Sequence, residues 1–322
     1  MDQFTRSPTG LARRSLIAGF GLAALMPAVV TGATVRRAIR GGHKRFAFAQ
    51  VDVFSPQAYR GNPLAVVIAA DGLSDAEMAL FSKWTNLSET TFLLRPTRPE
   101  ADYHLRIFSQ GTELPFAGHP TLGSCHVWLS AGGKPKGAHI VQECGVGLVR
   151  LRHASGRLAF EAPPLRKSLP VEPAVLDRLC RGLGLAQGEV TAARLLDGGL
   201  EVIALMITSR DRLLALKPDW ATMATDGVGL IAPYAPRPAP GQPDFEVRVF
   251  DQTLTGSEDP VTGSFNAAVA RWLIGAHMAP DHYLVSQGTV LGRSGRIHVD
   301  QDADGLWIGG DVTDRITGSV VF

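Results

Sequence analysis

Apolar and polar residues alternate over residues 44–54 and again over residues 103–108, which is the pattern of a half-buried β-strand. A short apolar run at residues 64–69 and a segment rich in β-forming residues at 89–94 predict two further strands. Additional strands are predicted at residues 139–142, 147–151, 157–161, 193–196, 202–207, 245–250, 288–299 and 306–309. The pattern therefore predicts a chain in which strands greatly outnumber helices.

Helical spacing of apolar residues is confined to a few segments. Ser74 and Glu77 have the spacing of a capping box, and the apolar residues that follow predict a helix ending near residues 86–88. Further helices are predicted after the loop at residues 113–124 and near residues 173–184, 211–216 and 264–274. We expect an α+β fold in which each half of the chain wraps a curved sheet around one central helix.

One pattern occurs twice in the chain. Arg-Ile-Phe-Ser-Gln at residues 106–110 resembles Arg-Val-Phe-Asp-Gln at residues 248–252. Pro-x-x-Gly-Ser and then Trp-Leu follow each copy at nearly constant offsets. The repetition predicts two copies of one unit, with two helix N-termini directed into one cleft. The alternative is a chance similarity between two strand–loop–helix junctions.

The domain boundary is predicted in a proline-rich polar segment at residues 162–170. This gives an N-terminal domain of residues 44–164 and a C-terminal domain of residues 165–322, with the last strand free to pack on the first domain. In each domain, a glycine-containing loop leads into a helix, and the N–H groups at the start of that helix can bind a carboxylate or phosphate.

Composition places the chain among ordinary globular proteins. It has 322 residues, 45% apolar and 19% charged, with a net charge of +2. That charge gives no reason to expect nucleic acid or an anionic membrane as a partner. The three cysteines are scattered, which favours buried apolar roles over disulfides. The nine histidines have no ligand spacing, so we expect no metal.

Residues 1–43 differ from the rest of the chain. Arg13 and Arg14 precede an apolar, Gly- and Ala-rich run at residues 18–30, and small residues follow at 31–33. This order resembles a twin-arginine export signal. We therefore expect a periplasmic or exported protein without stable membrane association after signal removal. The alternative is a cytoplasmic protein with a disordered extension or a misassigned start.

Four residues are candidates for the chemistry. Glu89 lies among apolar and hydroxyl residues, where burial would raise the carboxyl pKa toward neutrality; the alternative is a surface carboxylate. His119 lies between Gly118 and a proline, although a lone loop histidine is more often structural. Asp259 occupies the matching place in the second copy. Ser264 falls in the first turn of the second helix, where it is either an anion ligand or an ordinary first-turn serine.

Four motifs, in order, are similar to those of the phenazine-biosynthesis PhzF family. They are Gly-Asn-Pro at residues 61–63, Asn-Leu-Ser-Glu-Thr at 86–90, Glu-Leu-Pro-Phe-Ala-Gly-His-Pro-Thr-Leu-Gly at 113–123 and Glu-Asp-Pro-Val-Thr-Gly-Ser at 258–264. The resemblance spans residues 44–322. It implies two similar domains of the diaminopimelate epimerase-like fold, a cofactor-free active site between them, and a homodimer.

The resemblance also implies roles for individual residues. Glu89 takes the place of the family's proton shuttle. His119, Asp259 and Ser264 match assisting positions. The same motifs contain the expected substrate-binding residues Gly118, Thr262 and Gly263. The implied activity is a cofactor-independent isomerisation of a small carboxylate, such as an anthranilate-like ring, by proton transfer between carbons.

Four residues depart from the family pattern and place the phenazine substrate itself in question: Ser109, Gln110, Asp251 and Phe265. Two other functions stay open, a non-catalytic binder of small carboxylates and an epimerase or racemase. Related racemases use two facing cysteines, but Ala117 and the Asp259 region replace them here, which disfavours a two-thiol mechanism.

Overall fold

The computed structural model describes residues 43–154, 156–199, 201–223, 227–236, 239–251 and 258–322. Apart from His43, the predicted export segment lies outside these ranges. Residues 252–257, which precede the motif at residues 258–264, also lie outside them. Among the helices within these ranges, none is both long enough and apolar enough to cross a membrane.

Strands dominate both halves of the chain. The first half contains β1 (Arg45–Val53), β2 (Asn62–Ile68), β3 (Thr90–Leu94), β4 (Tyr103–Ser109), β5 (Thr112–Leu114), β6 (Ile140–Cys144), β7 (Gly147–Ala154), β8 (Arg157–Glu161) and β9 (Lys167–Leu169). The second half contains β10 (Val190–Asp197), β11 (Glu201–Ile207), β12 (Gly227–Pro233), β13 (Phe245–Asp251), β14 (Glu258–Asp259), β15 (His282–Gln287), β16 (Gly295–Asp302), β17 (Gly305–Gly310) and β18 (Val312–Val321).

The helices are fewer and shorter. They are α1 (Asp75–Thr85), α2 (Gly118–Ser130), α3 (Pro173–Leu183), α4 (Arg210–Ala215), α5 (Trp220–Met223) and α6 (Gly263–Gly275), with 3-10 turns at Gln187–Glu189 and Thr289–Leu291. The predicted capping box is present at the start of α1: Ser74 accepts from the Glu77 N–H, and the Glu77 side chain accepts from the Ser74 N–H. The α+β class expected from the sequence is confirmed.

The two halves repeat one pattern of strand pairing. In the first half, β1 pairs antiparallel with β2, β2 parallel with β3, β3 antiparallel with β4, and β4 parallel with β6. In the second half, β10, β11, β12, β13 and β15 pair in the same order and the same directions. The antiparallel run β6–β7–β8 likewise corresponds to β15–β16–β17. The two predicted copies therefore share one topology.

Each half contributes its last strand to the other. The final strand, β18, pairs antiparallel with β1, and β9 pairs in the same way with β10. Strands β8 and β17 also pair antiparallel and link the halves directly. The exchange ties the halves together through backbone hydrogen bonds as well as side-chain packing.

The central helices α2 and α6 are largely buried, as expected for helices that are apolar on nearly every face. Close packing requires a glycine in α2: a Cβ at Gly123 would lie 2.6 Å from the side chain of Leu64 and 2.9 Å from that of Val53. Apolar residues from both halves form one continuous core around these two helices.

Some sequence expectations need correction. The single strand predicted at residues 288–299 is wrong, because the chain makes a 3-10 turn there between β15 and β16. Gly288 and Gly292 flank that turn with φ of 87° and 67°, in the left-handed region that breaks a strand. The predicted boundary segment contains the short strand β9, and β12, α5 and β18 were not predicted.

Candidate active site

The N-termini of α2 and α6 meet in the middle of the molecule. A Cβ added to Gly118 would lie 2.7 Å from both the Gly263 carbonyl carbon and the Ser264 nitrogen. A Cβ added to Gly263 would lie 3.1 Å from the Gly118 Cα. Only residues without side chains allow this approach, so the two glycines bring together the positive ends of the two helices.

A cavity of about 280 Å³ lies next to this junction. Residues from both halves line it: Glu89, Ser109, Leu114, Ala117, Gly198, Glu201, Val202, Gly227, Val249, Phe250, Asp251, Asp259, Thr262, Ser264 and Phe265. Glu89, between α1 and β3, is only 9% exposed, so the alternative of a surface carboxylate is wrong. The fold therefore places the predicted proton-transfer residue in a cleft between two helix N-termini.

His119 lies directly against Glu89, with its Nε2 atom 3.3 Å from Glu89 Oε2. The angle between these groups does not meet hydrogen-bond geometry, and neither atom has another hydrogen-bond partner among the described residues. On its other side, His119 Nδ1 faces the Asn62 amide nitrogen at 3.3 Å. Because an amide nitrogen cannot accept a hydrogen bond, a proton on Nδ1 would face another donor, so the neutral ring carries its proton on Nε2, on the side of Glu89.

Asn62 connects the two halves beneath the cavity. Its side-chain N–H₂ donates to Asp259 Oδ1 at 2.8 Å and to the Val261 carbonyl at 3.0 Å. The Val261 carbonyl can only accept, which fixes the orientation of the amide. Asn62 therefore holds His119 of the first half and Asp259 of the second half in one buried network.

A second set of hydrogen bonds fixes Asp259 and the start of α6. The Thr262 hydroxyl donates to Asp259 Oδ2 at 2.6 Å. Gln287 accepts from the Thr262 N–H and donates to the Thr262 hydroxyl and the Asp259 carbonyl. Asn266 also donates to Gln287 and to the Thr262 carbonyl. This buried frame leaves Ser264 facing the cavity.

Burial shifts the pKa values of Glu89, Asp259 and His119, in each case so that the neutral form of the group is favoured. For Glu89, burial raises the pKa well above its usual range, and the nearby carboxylates of Asp259 and Asp251 raise it further. Burial raises the pKa of Asp259 to about 7, although hydrogen bonds from Thr262 and Asn62 act in the opposite direction. The pKa of His119 falls to about 3 because the buried ring is desolvated.

The structure brings most of the predicted site residues together. Glu89, Asp259, Thr262 and Ser264 line the cavity. His119 contacts Glu89 from behind, and the two glycines form the helix junction. Sequence reasoning did not single out Asn62 or Gln287. The Gly-Asn-Pro motif was the available signal for Asn62, which begins β2, but no role was assigned to this residue from the sequence.

Three of the four residues that depart from the family pattern lie on the cavity wall: Ser109, Asp251 and Phe265. The fourth, Gln110, does not line the cavity and donates to the Leu87 carbonyl. The ring of Phe265 packs onto the backbone at Gly229, where an added Cβ would lie 2.1 Å from the ring. The residue opposite Phe265 must therefore be a glycine while the phenylalanine is present. The departures change the shape and charge of the cavity without changing its framework.

The three cysteines are free, buried and absent from the cavity lining. Ala117 and Asp259 both line the cavity, at the places where the sequence analysis expected replacements for a pair of thiols. Among the described residues, no group of three or more His, Cys, Asp or Glu side chains is arranged to hold a metal ion. The chemical groups available at the cleft are carboxyls, hydroxyls and backbone N–H groups.

A duplicated α+β fold with a buried acid between two helix N-termini defines a small-molecule site rather than a surface for macromolecules. The profile of the phenazine biosynthesis-like protein family, PhzC-PhzF, matches residues 51–315. The chain therefore belongs to this family, as the motifs predicted.

Individual relatives agree with this assignment. Antisense-enhancing sequence 1 from Schizosaccharomyces pombe is 34% identical over 293 residues, covering 84% of this chain and 97% of the relative. The trans-2,3-dihydro-3-hydroxyanthranilate isomerase of Pseudomonas aeruginosa is 28% identical over 267 residues, covering 80% of this chain and 91% of that protein. A crystal structure of a PhzF family protein from Enterococcus faecalis superposes with a TM-score of 0.70 at 22% identity, covering 86% and 99% of the two chains. The isomerase class expected from the sequence agrees with the naming of relatives in this family.

Proposed function

We propose that this protein is a cofactor-independent isomerase that moves a proton between two carbon atoms of a small amino carboxylate, with Glu89 as the general acid and base. The observation that supports this most strongly is the position of Glu89. It is a buried carboxyl in a cleft, its Oε2 atom has no hydrogen-bond partner among the described residues, and burial together with nearby acids raises its pKa. A carboxyl with a raised pKa is both a stronger base and a more readily available acid than an exposed one.

The chemical steps balance with Glu89 alone. In the first step, a substrate C–H bond breaks, its electron pair enters the adjacent π system, and the proton moves to the Glu89 carboxylate. In the second step, the protonated Glu89 delivers a proton to another carbon of that π system, where an electron pair forms the new C–H bond. Both carbons must lie on the same face of the substrate, within reach of one carboxyl group.

His119 and Asp259 act on Glu89 rather than on the reacting carbons in this proposal. Nε2 of the neutral His119 ring lies 3.3 Å from Glu89 Oε2 and limits the movement of the carboxyl by contact. Burial and the negative charge of Asp259 both favour the protonated form of Glu89. His119 therefore positions the carboxyl, while the cleft and Asp259 strengthen its hold on the proton.

The helix junction is the proposed anchor for the substrate carboxylate. N–H groups in the first turn of a helix have no intrahelical acceptors, and the helix dipole favours a negative charge there. Ser264 adds a hydroxyl on the cavity wall at the first turn of α6. The site thus offers neutral hydrogen-bond donors to the carboxylate.

The charge of the wall adds a second requirement for the substrate. Four acidic residues line the cavity: Glu89, Glu201, Asp251 and Asp259. The described lining contains no Lys or Arg. A substrate with a carboxylate alone would add another negative charge to this wall. An amino group that is protonated in solution would offset it, so we expect an amino carboxylate, as in the anthranilate-like ring considered from the sequence.

A screen in heavy water tests the proposal. Small amino carboxylates with a C–H bond next to a π system, including partly reduced aminobenzoates, are incubated with the protein in D₂O and followed by ¹H NMR and mass spectrometry. We expect one class of compound to exchange a carbon-bound hydrogen for deuterium and to yield an isomer. Compounds that bind saturably in the cleft without exchange or isomer formation would instead identify a non-catalytic binding protein.

A further inference from the structure

A second cavity, of about 440 Å³, lies on the other side of the turn between β10 and β11. Its wall is formed by the turn between β6 and β7, the linker after β8, the β10–β11 turn and one side of α6. Gly198 in the β10–β11 turn lines this cavity as well as the Glu89 cleft. The two cavities are therefore neighbours, separated by one glycine turn.

The second cavity has the opposite charge to the first. Three arginines line it, Arg150, Arg166 and Arg271, together with one carboxylate, Glu161. Arg150 pairs with Glu161 at 2.8 Å, and Arg166 pairs with Asp197 at 2.8 Å. None of the three arginines lines the Glu89 cleft.

Arg271 is the unusual member of this group. It projects from α6, donates to the backbone carbonyls of Ala162 and Pro163, and forms no ion pair with any carboxylate of the described residues. Partial burial lowers the pKa of its guanidinium, which still stays charged at neutral pH. Glu161 is close enough to interact electrostatically with Arg271, but no carboxylate of the described residues contacts the guanidinium, which can therefore bind an anion from solution.

The remaining wall is apolar. Val146 and Leu148, at the turn between β6 and β7, are 39% and 40% exposed and line the same cavity. Pro115, Pro163 and Pro164 extend this surface. The cavity thus combines guanidinium groups with an apolar wall, which suits a small organic anion better than an inorganic one.

We infer that the cavity around Arg271 and Arg166 is a second binding site, separate from the Glu89 cleft, for a small carboxylate with an apolar body. The carboxylate contacts the guanidinium of Arg271 and that of Arg166, and the apolar body packs against Val146 and Leu148. Because Gly198 belongs to both walls, a ligand in this site contacts the turn that also bounds the cleft.

NMR titration with benzoate tests this site in the full-length protein. Amide resonances of Val146, Leu148 and Gly199, and the Nε–H resonance of Arg271, are expected to shift saturably. Arg271→Gln and Arg166→Gln each remove a charge-assisted contact and are expected to weaken benzoate binding about tenfold. Arg181→Gln, an exposed arginine near the end of α3, is the matched control and is expected to bind as the unchanged protein does.

Two further measurements keep the test decisive. Arg271 also donates to the linker carbonyls, and Arg166, although its side chain is 62% exposed, donates to Asp197 and to the Gly199 carbonyl. Both variants are therefore checked by thermal unfolding. Inorganic phosphate is expected to bind more weakly than benzoate because it does not use the apolar wall. The inference is overturned if benzoate shifts only resonances of the Glu89 cleft, if it does not bind saturably, if both arginine variants bind it unchanged, or if phosphate binds more tightly. None of these results depends on whether the cleft is catalytic.

Discussion

Glu89 Oε2 and His119 Nε2 lie 3.3 Å apart in a buried site, and each comes from a different motif of the first half. Asn62 holds His119 from behind and simultaneously contacts Asp259 of the second half. The geometry of the proposed proton-transfer group therefore depends on both halves of the chain. This dependence explains why the site needs the whole duplicated fold.

The His119 ring is expected to be neutral throughout the physiological pH range, with its proton on Nε2. Burial lowers its pKa to about 3, and Nδ1 faces the Asn62 amide nitrogen, which cannot accept a hydrogen bond, at 3.3 Å. ¹⁵N chemical shifts of the imidazole nitrogens between pH 5 and 8 report the tautomer directly. Shifts typical of an imidazolium, or of a ring protonated on Nδ1, would contradict this arrangement.

Asp259 is expected to make the protein less stable as the pH rises. Its pKa is about 7 in the folded protein against an ordinary value of 3.8, so the folded state retains a proton that the unfolded chain releases. The stabilisation from the neutral carboxyl is complete below pH 3.8 and is lost as the pH rises to about 7. Asp259→Asn should abolish this pH-dependent loss of unfolding free energy, which is on the order of 4 kcal/mol.

Denaturant unfolding at several pH values measures this effect as the difference between the variant and the unchanged protein. His119 acts in the opposite direction, because its lowered pKa makes stability fall as the pH decreases from 6.5 toward 3. The His119 contribution is common to both proteins and cancels in the difference. Glu100→Gln, at an exposed position, should follow the unchanged protein, and a similar parallel curve for Asp259→Asn would rule out the raised pKa.

Gly118→Ala is expected to cost at least about 2 kcal/mol of unfolding free energy, because its methyl group would overlap the backbone of Gly263 and Ser264. The change also separates the two helix N-termini. Isomerase activity should therefore fall even under conditions in which the variant is fully folded. Gly275→Ala, in the last turn of α6, is the control. Nothing lies within 4 Å of its added Cβ, and the change should be neutral or slightly stabilising. Equal effects of the two changes would show that the helix junction is not tightly packed.

One ion pair occurs in both halves, in two environments. Arg106 forms a two-point contact with Glu113, and Arg248 forms the same contact with Glu258. The second pair is almost fully buried, with 4% and 8% of its side chains exposed, while the first is 19% and 44% exposed. Glu258→Gln should therefore cost about 3–5 kcal/mol, whereas Glu113→Gln should cost less than about 1 kcal/mol.

Chemical unfolding of these two variants, at a pH where all partners are charged, provides the comparison. Each variant is the other's control, since the same contact is broken in the same repeated unit. Similar losses of unfolding free energy in the two variants would mean that burial does not determine how much the Arg–Glu contact contributes to stability.

Local patterns in the sequence predicted much of the fold. The capping box at Ser74, the alternating strands and the repeated Arg-x-Phe segments depend on neighbouring residues, and the structure contains them. Strand β12 was missed because it is buried and is interrupted by Gly229, so its sequence neither alternates nor forms a long apolar run.

Long-range contacts at the site were beyond such patterns. The bond between Asn62 and Asp259 joins residues 197 positions apart. The family resemblance supplied the candidates Glu89, His119, Asp259 and Ser264, but not the buried amide that links them. The packing of Phe265 on Gly229 is equally invisible in either local segment. The export signal, the two-domain boundary and the homodimer stay predictions.

The most direct test of the central claim compares Glu89→Gln with the unchanged protein in heavy water, using the compound that the screen identifies. Deuterium incorporation at carbon is expected to fall at least about a thousandfold, since the proposed proton carrier is lost, while the dissociation constant of the ligand should change no more than a few-fold. Glu143→Gln, at a buried carboxylate on β6 that does not line the cleft, should exchange at the normal rate. Undiminished exchange by a folded Glu89→Gln variant would contradict the account.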